Sequence, residues 1–329
     1  MVTQHEGTNR VPPGSFDVMT DTQYRPAFAA IPAAIRAQFA APFLAAFLDD
    51  PEAEILGRSG TLEVRLARTK KDVKRAQKLR WRVFYEEMSA VPDLRSRLKR
   101  RDVDAYDAIC DHLLVVDTAV PHKPIPGVKP VPGTFRPKVV GTYRLLRQDV
   151  AERHGGFYTA SEFDVAPMIA AHPGLRFLEL GRSCVEKPYR DKRTVELLWH
   201  GIWAYVRRHK IDVMFGCASF EGTDPDRLAL PLSYLAKNAR AADEWCAKAL
   251  PRLHVDMNRV PLDAVDPKTL MQALPPLVKG YLRVGARFGD GAVIDRQFGT
   301  TDVLVVLPVK DIHPRYVGYF GSEGDRYAA

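Results

Sequence analysis

The sequence predicts a mixed α/β domain in which helices flank a sheet. Segments with strand period alternate with segments of helical period along most of the chain. Some strands alternate apolar and polar residues, while others are apolar throughout, as the interior of a covered sheet must be. With 329 residues, 46% hydrophobic and 27% charged, the chain can also bury a substantial core.

Residues 1–25, rich in Thr, Gly, Pro and Asp, read as a flexible tail. Phe28, Ile31, Ile35, Phe39, Phe43 and Phe47 recur at steps of three or four, one stripe of a helix. That N-terminal helical extension either docks on the main domain or lies in the plane of a membrane. Its Ala-rich opposite face favours docking. The main domain is expected to begin at Thr61, with an alternating strand through Leu66. A helix follows over 70–88, with Val73, Ala76, Leu79, Val83 and Phe84 on its apolar side. Asp111–Asp117 and Val139–Leu146 form a hairpin whose proline-rich loop, 118–137, cannot join a central strand.

Phe177–Val185 is the next strand, then a helix over Thr194–His209 with Leu198, Ile202 and Val206 inward. Asp212–Phe220 is nearly all apolar and reads as a covered strand. Asp224-Pro225 opens a helix that runs to about Asn238, with Pro at its first turn. Residues 240–275 carry no clear period. A short helix over Pro276–Val284 and a strand over Asp302–Val309 close the domain. The expected divisions are 1–60 for tail and extension, 61–312 for the domain, and 313–329 for a C-terminal tail.

The formal charge of +8 is concentrated. From Arg65 to Arg101, 14 Lys or Arg face 4 Asp or Glu, a balance of +10, so the remainder sums to −2. Such a field attracts an acidic protein or an anionic membrane. Nothing resembles a nucleic-acid-binding signature, so no nucleic-acid partner is expected. Cys110, Cys184, Cys217 and Cys246 are dispersed and form no CxxC pair, which points to a reducing compartment and no bound metal. The most apolar run, Pro26–Leu48, contains Arg36, Gln38 and three prolines, so no membrane span is expected. It also begins too far into the chain for a signal peptide. A cytoplasmic protein is expected, with peripheral contact at the inner membrane compatible.

Chemistry concentrates around Phe177-Leu-Glu-Leu-Gly-Arg-Ser-Cys-Val185 and the basic turn behind it. A strand that passes through a basic loop into a helix N-terminus offers backbone N–H groups and a dipole to a phosphate. Lys187, Arg190, Lys192 and Arg193 add side-chain charge, with Thr194 opening the helix. An exposed basic turn has the same composition. His112, at the start of an apolar strand, reads as a structural histidine. Cys184 and Cys217 lie in buried strands and read as inert packing.

The ordered pieces Leu79-Arg-Trp-Arg-Val-Phe84, Asp104-Ala-Tyr-Asp107, Cys110-Asp-His-Leu-Leu-Val-Val116, Val140-Gly-Thr-Tyr-Arg-Leu-Leu146, Ser161-Glu-Phe163 and Glu179-Leu-Gly-Arg182 resemble the GCN5-related N-acetyltransferase (GNAT) superfamily. Within it they resemble acyl-homoserine-lactone synthases and, more closely, the L-ornithine Nα-acyltransferases of ornithine-lipid synthesis. Leu274–Ala286, with Asp295, Phe298 and Asp302, is similar to the latter branch. The resemblance implies a mixed, mostly antiparallel GNAT-like sheet. It implies transfer of a (3-hydroxy) fatty acyl group from acyl carrier protein to the α-amino group of ornithine. The donor would be an acyl-phosphopantetheine thioester, with no permanently bound cofactor. The turn at 187–194 lacks the glycines of the usual acetyl-CoA loop, which fits a single phosphate on a carrier better than coenzyme A.

By the same resemblance Glu179 is the expected general base, with Arg182 beside it, although the pair reads equally as a structural ion pair. Ser183, Cys184, Val185, Lys187, Arg190, Lys192, Arg193 and Thr194 are expected to hold the donor arm. Arg80, Asp104, Asp107 and Arg144 are expected to organise the acceptor. For ornithine, Arg144 would meet the carboxylate and the two aspartates the side-chain ammonium. A buried charge network tying the first helix to the sheet is the competing role. Trp81, Phe84 and Phe163 are candidates for an acyl groove, or plain core. Two other functions remain open: an acyl-homoserine-lactone synthase, against which the length after residue 220 argues, and a non-enzymatic, hemolysin-like membrane-active protein.

Overall fold

A computed structural model describes residues 54–88, 90–121, 135–263 and 265–313. The expected tail and stripe within residues 1–53, most of the proline-rich loop, and the C-terminal tail from residue 314 lie outside the described residues. The described residues fall within a single unit, Asp49–Ala329.

The chain opens with an antiparallel hairpin, β1 (Ile55–Ser59) and β2 (Leu62–Leu66), which turns at Gly60 with φ of 60°. Strand β1 precedes the boundary read at residue 60 and extends the sheet beyond it. Helix α1 (Lys70–Trp81) starts where the Thr69 hydroxyl accepts the Asp72 N–H at 3.1 Å. It buries Ala76 and Leu79, then widens over Arg82–Glu87 and buries Val83 and Phe84. Strands β3 (Asp111–Asp117) and β4 (Lys138–Arg147) pair antiparallel. After the short β5 (Phe163–Asp164) come β6 (Phe177–Val185), helix α2 (Lys192–His209) and β7 (Val213–Glu221). Helix α3 spans Ala229–Asn238, so the residues from Asp224 form turns before it. Two short strands, β8 (Lys248–Ala249) and β9 (His254–Val255), and helix α4 (Pro276–Val284) precede the final hairpin of β10 (Arg287–Asp295) and β11 (Thr300–Pro308).

The sheet order is β1-β2-β3-β4-β6-β7-β11-β10-β8-β5, with β9 also on β10. Pairing is antiparallel except for β6 with β7 and β8 with β10. This is the mixed, mostly antiparallel sheet the resemblance implies. Strand β11 is buried along its whole length, because β7 and β10 cover both of its edges. Helix α2 packs on one face through Leu197, Leu198, Ile202, Tyr205 and Val206. Each such apolar side chain contributes about 1.5–3 kcal/mol when fully buried.

The parallel pair decides the architecture of the site. Strands β6 and β7 share three residue pairs, Phe177–Val213, Leu178–Met214 and Glu179–Phe215. Beyond them β6 stays with β4, and β7 stays with β11 as far as Glu221. The junction is tight: a Cβ on Gly216 would stand 2.2 Å from the carbonyl oxygen of Leu180. Gly216→Ala should therefore cost about 1–3 kcal/mol through forced backbone displacement. Thermal melting checks this, and an unchanged midpoint would mean that the junction gives way freely.

Candidate active site

Where β6 and β7 part, a cleft of about 310 Å³ opens. Its walls include Tyr143 and Arg144 of β4, residues 179–185 of β6, and Cys217–Ser219 of β7. The register of β6 against β4 slips between Thr142 and Arg144, and Arg182 at this bulge has a left-handed φ of 51°. For a residue with a Cβ that conformation costs about 1–2 kcal/mol. Surrounding interactions offset it. The Arg182 guanidinium lies 3.4 Å from Asp102 and 3.5 Å from Asp104, and donates to the Tyr158 hydroxyl at 3.3 Å. The rings of Tyr158 and Phe298 stand 4.8 and 4.6 Å from it.

Arg182 thus belongs to a network of three arginines and three aspartates. Arg80, with no exposed surface, donates to Asp102 Oδ2 and to Asp107 Oδ1, each at 2.7 Å. Arg144 donates to both oxygens of Asp104, at 2.7 and 2.6 Å. Asp107 accepts Gln77 at 2.9 Å, and Tyr85 donates to Asp102 at 3.0 Å. Burial pushes the Asp104 carboxyl up, but Arg144 and Arg182 hold it below the ordinary range. The four residues expected to organise the acceptor are mutually paired, which is the geometry of the competing charge network. Asp102, an essential link between Arg80 and Arg182, carries no sequence signal that marks it. His112 is buried beside the network with Nε2 3.1 Å from the Asp107 carbonyl, and burial lowers its pKa, which favours the neutral ring.

Glu179 makes no ion pair with Arg182. Its two oxygens accept the backbone N–H groups of Tyr158 at 3.0 Å and Thr159 at 2.6 Å. Those bonds seat the 158–161 turn over the cleft. Burial raises the Glu179 pKa, and the bonds from Thr159 and Tyr158 only partly offset this.

A second acidic group lies beyond it. Oxygens of Glu162, Asp295 and Asp302 all lie within 4.8 Å of one another. Burial and the Asp302 charge push the Glu162 carboxyl up to about 7. Burial pushes Asp302 up to about 6, a rise that the nearby Thr300 and Ser219 hydroxyls lessen.

On the donor side, Ser183, Cys184, Val185 and Arg190 line the cleft. Arg190 also binds Glu87, at 2.5 and 2.9 Å, and the Val185 carbonyl at 2.9 Å. Lys187, Lys192 and Arg193 are exposed, and Lys192 pairs with Glu196 at 3.4 Å. Thr194 departs from expectation. Its N–H is taken by the Asp191 carboxylate at 2.8 Å and its hydroxyl is sealed from solvent, so neither reaches a ligand.

Phe84 lines the cleft, with Phe298 edge-on at 5.6 Å. Two other aromatics do not. Phe163 lies wholly in the core beneath β7, and Trp81 packs on Tyr85 while its indole N–H binds Glu86 at 2.8 Å. Tyr143, Leu277 and Tyr281 line it instead; they lie within segments that carry the resemblance but are not among the expected groove residues. Burial pushes the thiols of Cys110 and Cys184 up to about 12 and that of Cys217 well above its usual value. None is primed as a nucleophile.

Removing Arg80 would take from the buried Asp102 and Asp107 their shortest ion pairs, leaving only the more distant Arg182 and Arg144. Arg80→Ala should therefore lower the unfolding free energy by about 3–5 kcal/mol. Urea denaturation measures it, and a loss below about 1 kcal/mol would deny the network its structural role.

Residues 79–200 match the family model described as an acetyltransferase (GNAT) domain. The L-ornithine N(alpha)-acyltransferase of Rhizobium meliloti (strain 1021) is 52% identical over 279 residues, which cover 85% of this chain and 90% of that protein. The protein of the same description from Brucella abortus (strain 2308) is 52% identical over 283 residues, covering 86% and 97%. Among solved structures, an N-acyl amino acid synthase from uncultured soil microbes overlaps 76% of this chain and 92% of its own. Its TM-score is 0.40 at 11% identity, too distant to carry an argument. The chain belongs to the L-ornithine N(alpha)-acyltransferase family and is an acyltransferase built around a GNAT domain.

Proposed function

We propose that this protein transfers a (3-hydroxy) fatty acyl group from acyl carrier protein to the α-amino group of ornithine, forming a lyso-ornithine lipid. The observation that carries the reading is the fork between β6 and β7, with Glu179 at its inner end. Backbone groups of β6 beyond residue 179 have no ladder partner on the β7 side. The amide-bearing phosphopantetheine arm can pair there, and one N–H can bind the thioester oxygen as it gains charge. The neutral amine then attacks the carbonyl carbon. A C–N bond forms, the C–S bond breaks, and the carrier thiolate leaves and takes a proton. Glu179, whose pKa burial raises, is the proposed acceptor of the amine's proton, directly or through a water. Arg182 is its proposed neighbour in charge stabilisation.

Phe84 and the apolar side chains beside it suit the acyl chain. Ser183, Cys184 and Val185 suit the arm, with Lys187, Arg190, Lys192 and Arg193 near its phosphate. The basic stretch supports docking of an acidic carrier. Arg65 and Arg80 are internal, but Arg95, Arg97, Lys99 and Arg100 face solvent among the exposed Val91, Leu94 and Leu98. Among the described residues no helix is long and apolar enough to cross a membrane. Peripheral contact at the inner membrane is proposed from the amphiphilic product and the stripe at 28–47.

Purified protein with acyl carrier thioester and ornithine should release free carrier thiol. Glu179→Gln should slow release by about 100-fold or more. Release by Glu179→Gln at the wild-type rate would remove Glu179 as the base, and no release by the wild type would remove the reaction. A paired Arg97→Glu and Lys99→Glu variant should raise KM for the acyl carrier about tenfold while sparing turnover of the matching acyl-CoA. Equal loss with both donors would remove the docking face.

A further inference from the structure

The acidic group beside the cleft is not used by the reaction as proposed. Asp302 lies on β11, paired with Ser219 of β7, and lines the cleft at 7% exposure. Its Oδ1 is buried and has no hydrogen-bond partner among the described residues. The nearby Thr300 and Ser219 hydroxyls soften its charge without closing a bond on that atom. A buried, unpartnered carboxylate oxygen carries a full desolvation cost, so it marks a place prepared for a donor.

The neighbours sharpen the chemistry of that donor. Asp295 is oriented by the N–H groups of Gln297 and Phe298, which its Oδ1 accepts at 2.8 and 3.0 Å. Glu162 accepts the Cys217 thiol at 3.5 Å. Among the described residues, no cation stands in ion-pair contact with any of the three. Arg182, the nearest arginine in electrostatic terms, is paired with Asp102 and Asp104. A cationic donor would fit this acidic setting, and no described residue supplies one. Three oxygens around one tetrahedral ammonium, each about 2.8 Å from nitrogen, stand about 4.6 Å apart. The three carboxylate oxygens here all lie within 4.8 Å.

We propose that Glu162, Asp295 and Asp302 form a subsite that binds the side-chain ammonium of a dibasic amino-acid acceptor and selects it over neutral amino acids. This rests on the ornithine acylation proposed above. The position suits it. Cys217 Sγ lies 3.5 Å from Glu162 Oε2 and 3.9 Å from Thr159 Oγ1, and the Thr159 N–H is bound to Glu179. The subsite is thus linked to the proposed base by three contacts through Cys217 and Thr159, and both of those residues line the same cleft as Glu179 and Asp302. It also replaces Asp104 and Asp107 in the ammonium role, since Arg144 and Arg80 already occupy them.

The test compares ornithine with 2-aminopentanoic acid, the same carbon chain without the ammonium, in full-length protein. The wild type should favour ornithine in kcat/KM by about 100-fold or more. Asp302→Asn and, separately, Glu162→Gln should shrink that preference by about tenfold or more, mostly through KM for ornithine. General structural damage would lower both substrates together and leave the ratio intact. An unchanged ratio in both variants, or a wild type that does not discriminate, overturns the subsite while thiol release stands. A preference abolished by EDTA and restored by Mg²⁺ would assign the cluster to a metal and equally overturn it. Absence of thiol release with ornithine would instead remove the reaction itself, and the subsite with it.

Discussion

The parting of β6 and β7 is the constraint on which the rest of the site depends. Two adjacent parallel strands would ordinarily continue their ladder, and leaving it unmade exposes backbone donors and acceptors. The sheet tolerates the opening because each strand keeps its other neighbour. Strand β4 holds β6, and β11 holds all of β7. The split is built in at two residues. Gly216 lets the backbones touch at the junction, and left-handed Arg182 bends β6 away just beyond it. The opening is thus a property of the fold that exists before any ligand arrives, and a thioester arm meets pre-aimed backbone groups rather than having to part strands.

Two charge systems share the cleft and differ in one respect. The arginine–aspartate network sets three cations against three anions, although Arg80 Nη1 and Arg182 Nε make no hydrogen bond. Among the described residues, the acidic group has no cation in ion-pair contact. Their separation is maintained by Arg182, whose guanidinium is clasped by Asp102, Asp104 and the rings of Tyr158 and Phe298. It lowers the pKa of Glu162 and Asp302 through its charge but is not in contact to quench them. A buried ion-pair network contributes little net stability compared with an apolar core of equal volume. Here it fixes the bulge of β6. An open acidic group is, by contrast, a standing cost to the empty protein that a cationic ligand relieves.

Much of this fold was legible because periodicity survives burial. Leu198, Ile202 and Val206 announce the inner face of α2, and the apolar runs of β3, β4, β6 and β7 need no long-range information. Strand β10 escaped because Gly289, Asp290 and Gly291 interrupt its alternation at a bulge, where Gly291 takes φ of 81°. Strand β1 is five residues long and carries Gly57 and Arg58 among its few apolar positions. The site was harder to read. Glu179 and Arg182 stand three apart in a strand, a spacing that ordinarily places side chains on opposite faces. Their proximity in sequence therefore suggested a pair the geometry does not make. Trp81 and Phe163 share residue type with Phe84, and only packing distinguishes core from cleft. Asp102 lies 22 residues from Arg80, and no local pattern announces a partner at that distance.

The donor end argues for where affinity resides. Helix α2 begins at a carboxylate of its own, Asp191, which takes the Thr194 N–H and places negative charge where a phosphate would otherwise gain from the dipole. No glycine in residues 186–194 lets the backbone wrap a diphosphate. What remains is side-chain charge, and Arg190 is already shared with Glu87. A donor that depended on this turn alone would be held weakly. A donor carried by an acidic protein does not depend on it, because the solvent-facing Arg95, Arg97, Lys99 and Arg100 supply a separate electrostatic face. Under the carrier dependence proposed above, the weak turn and the basic face would be parts of one arrangement: recognition of the carrier outside the cleft, and only positioning of the arm within it.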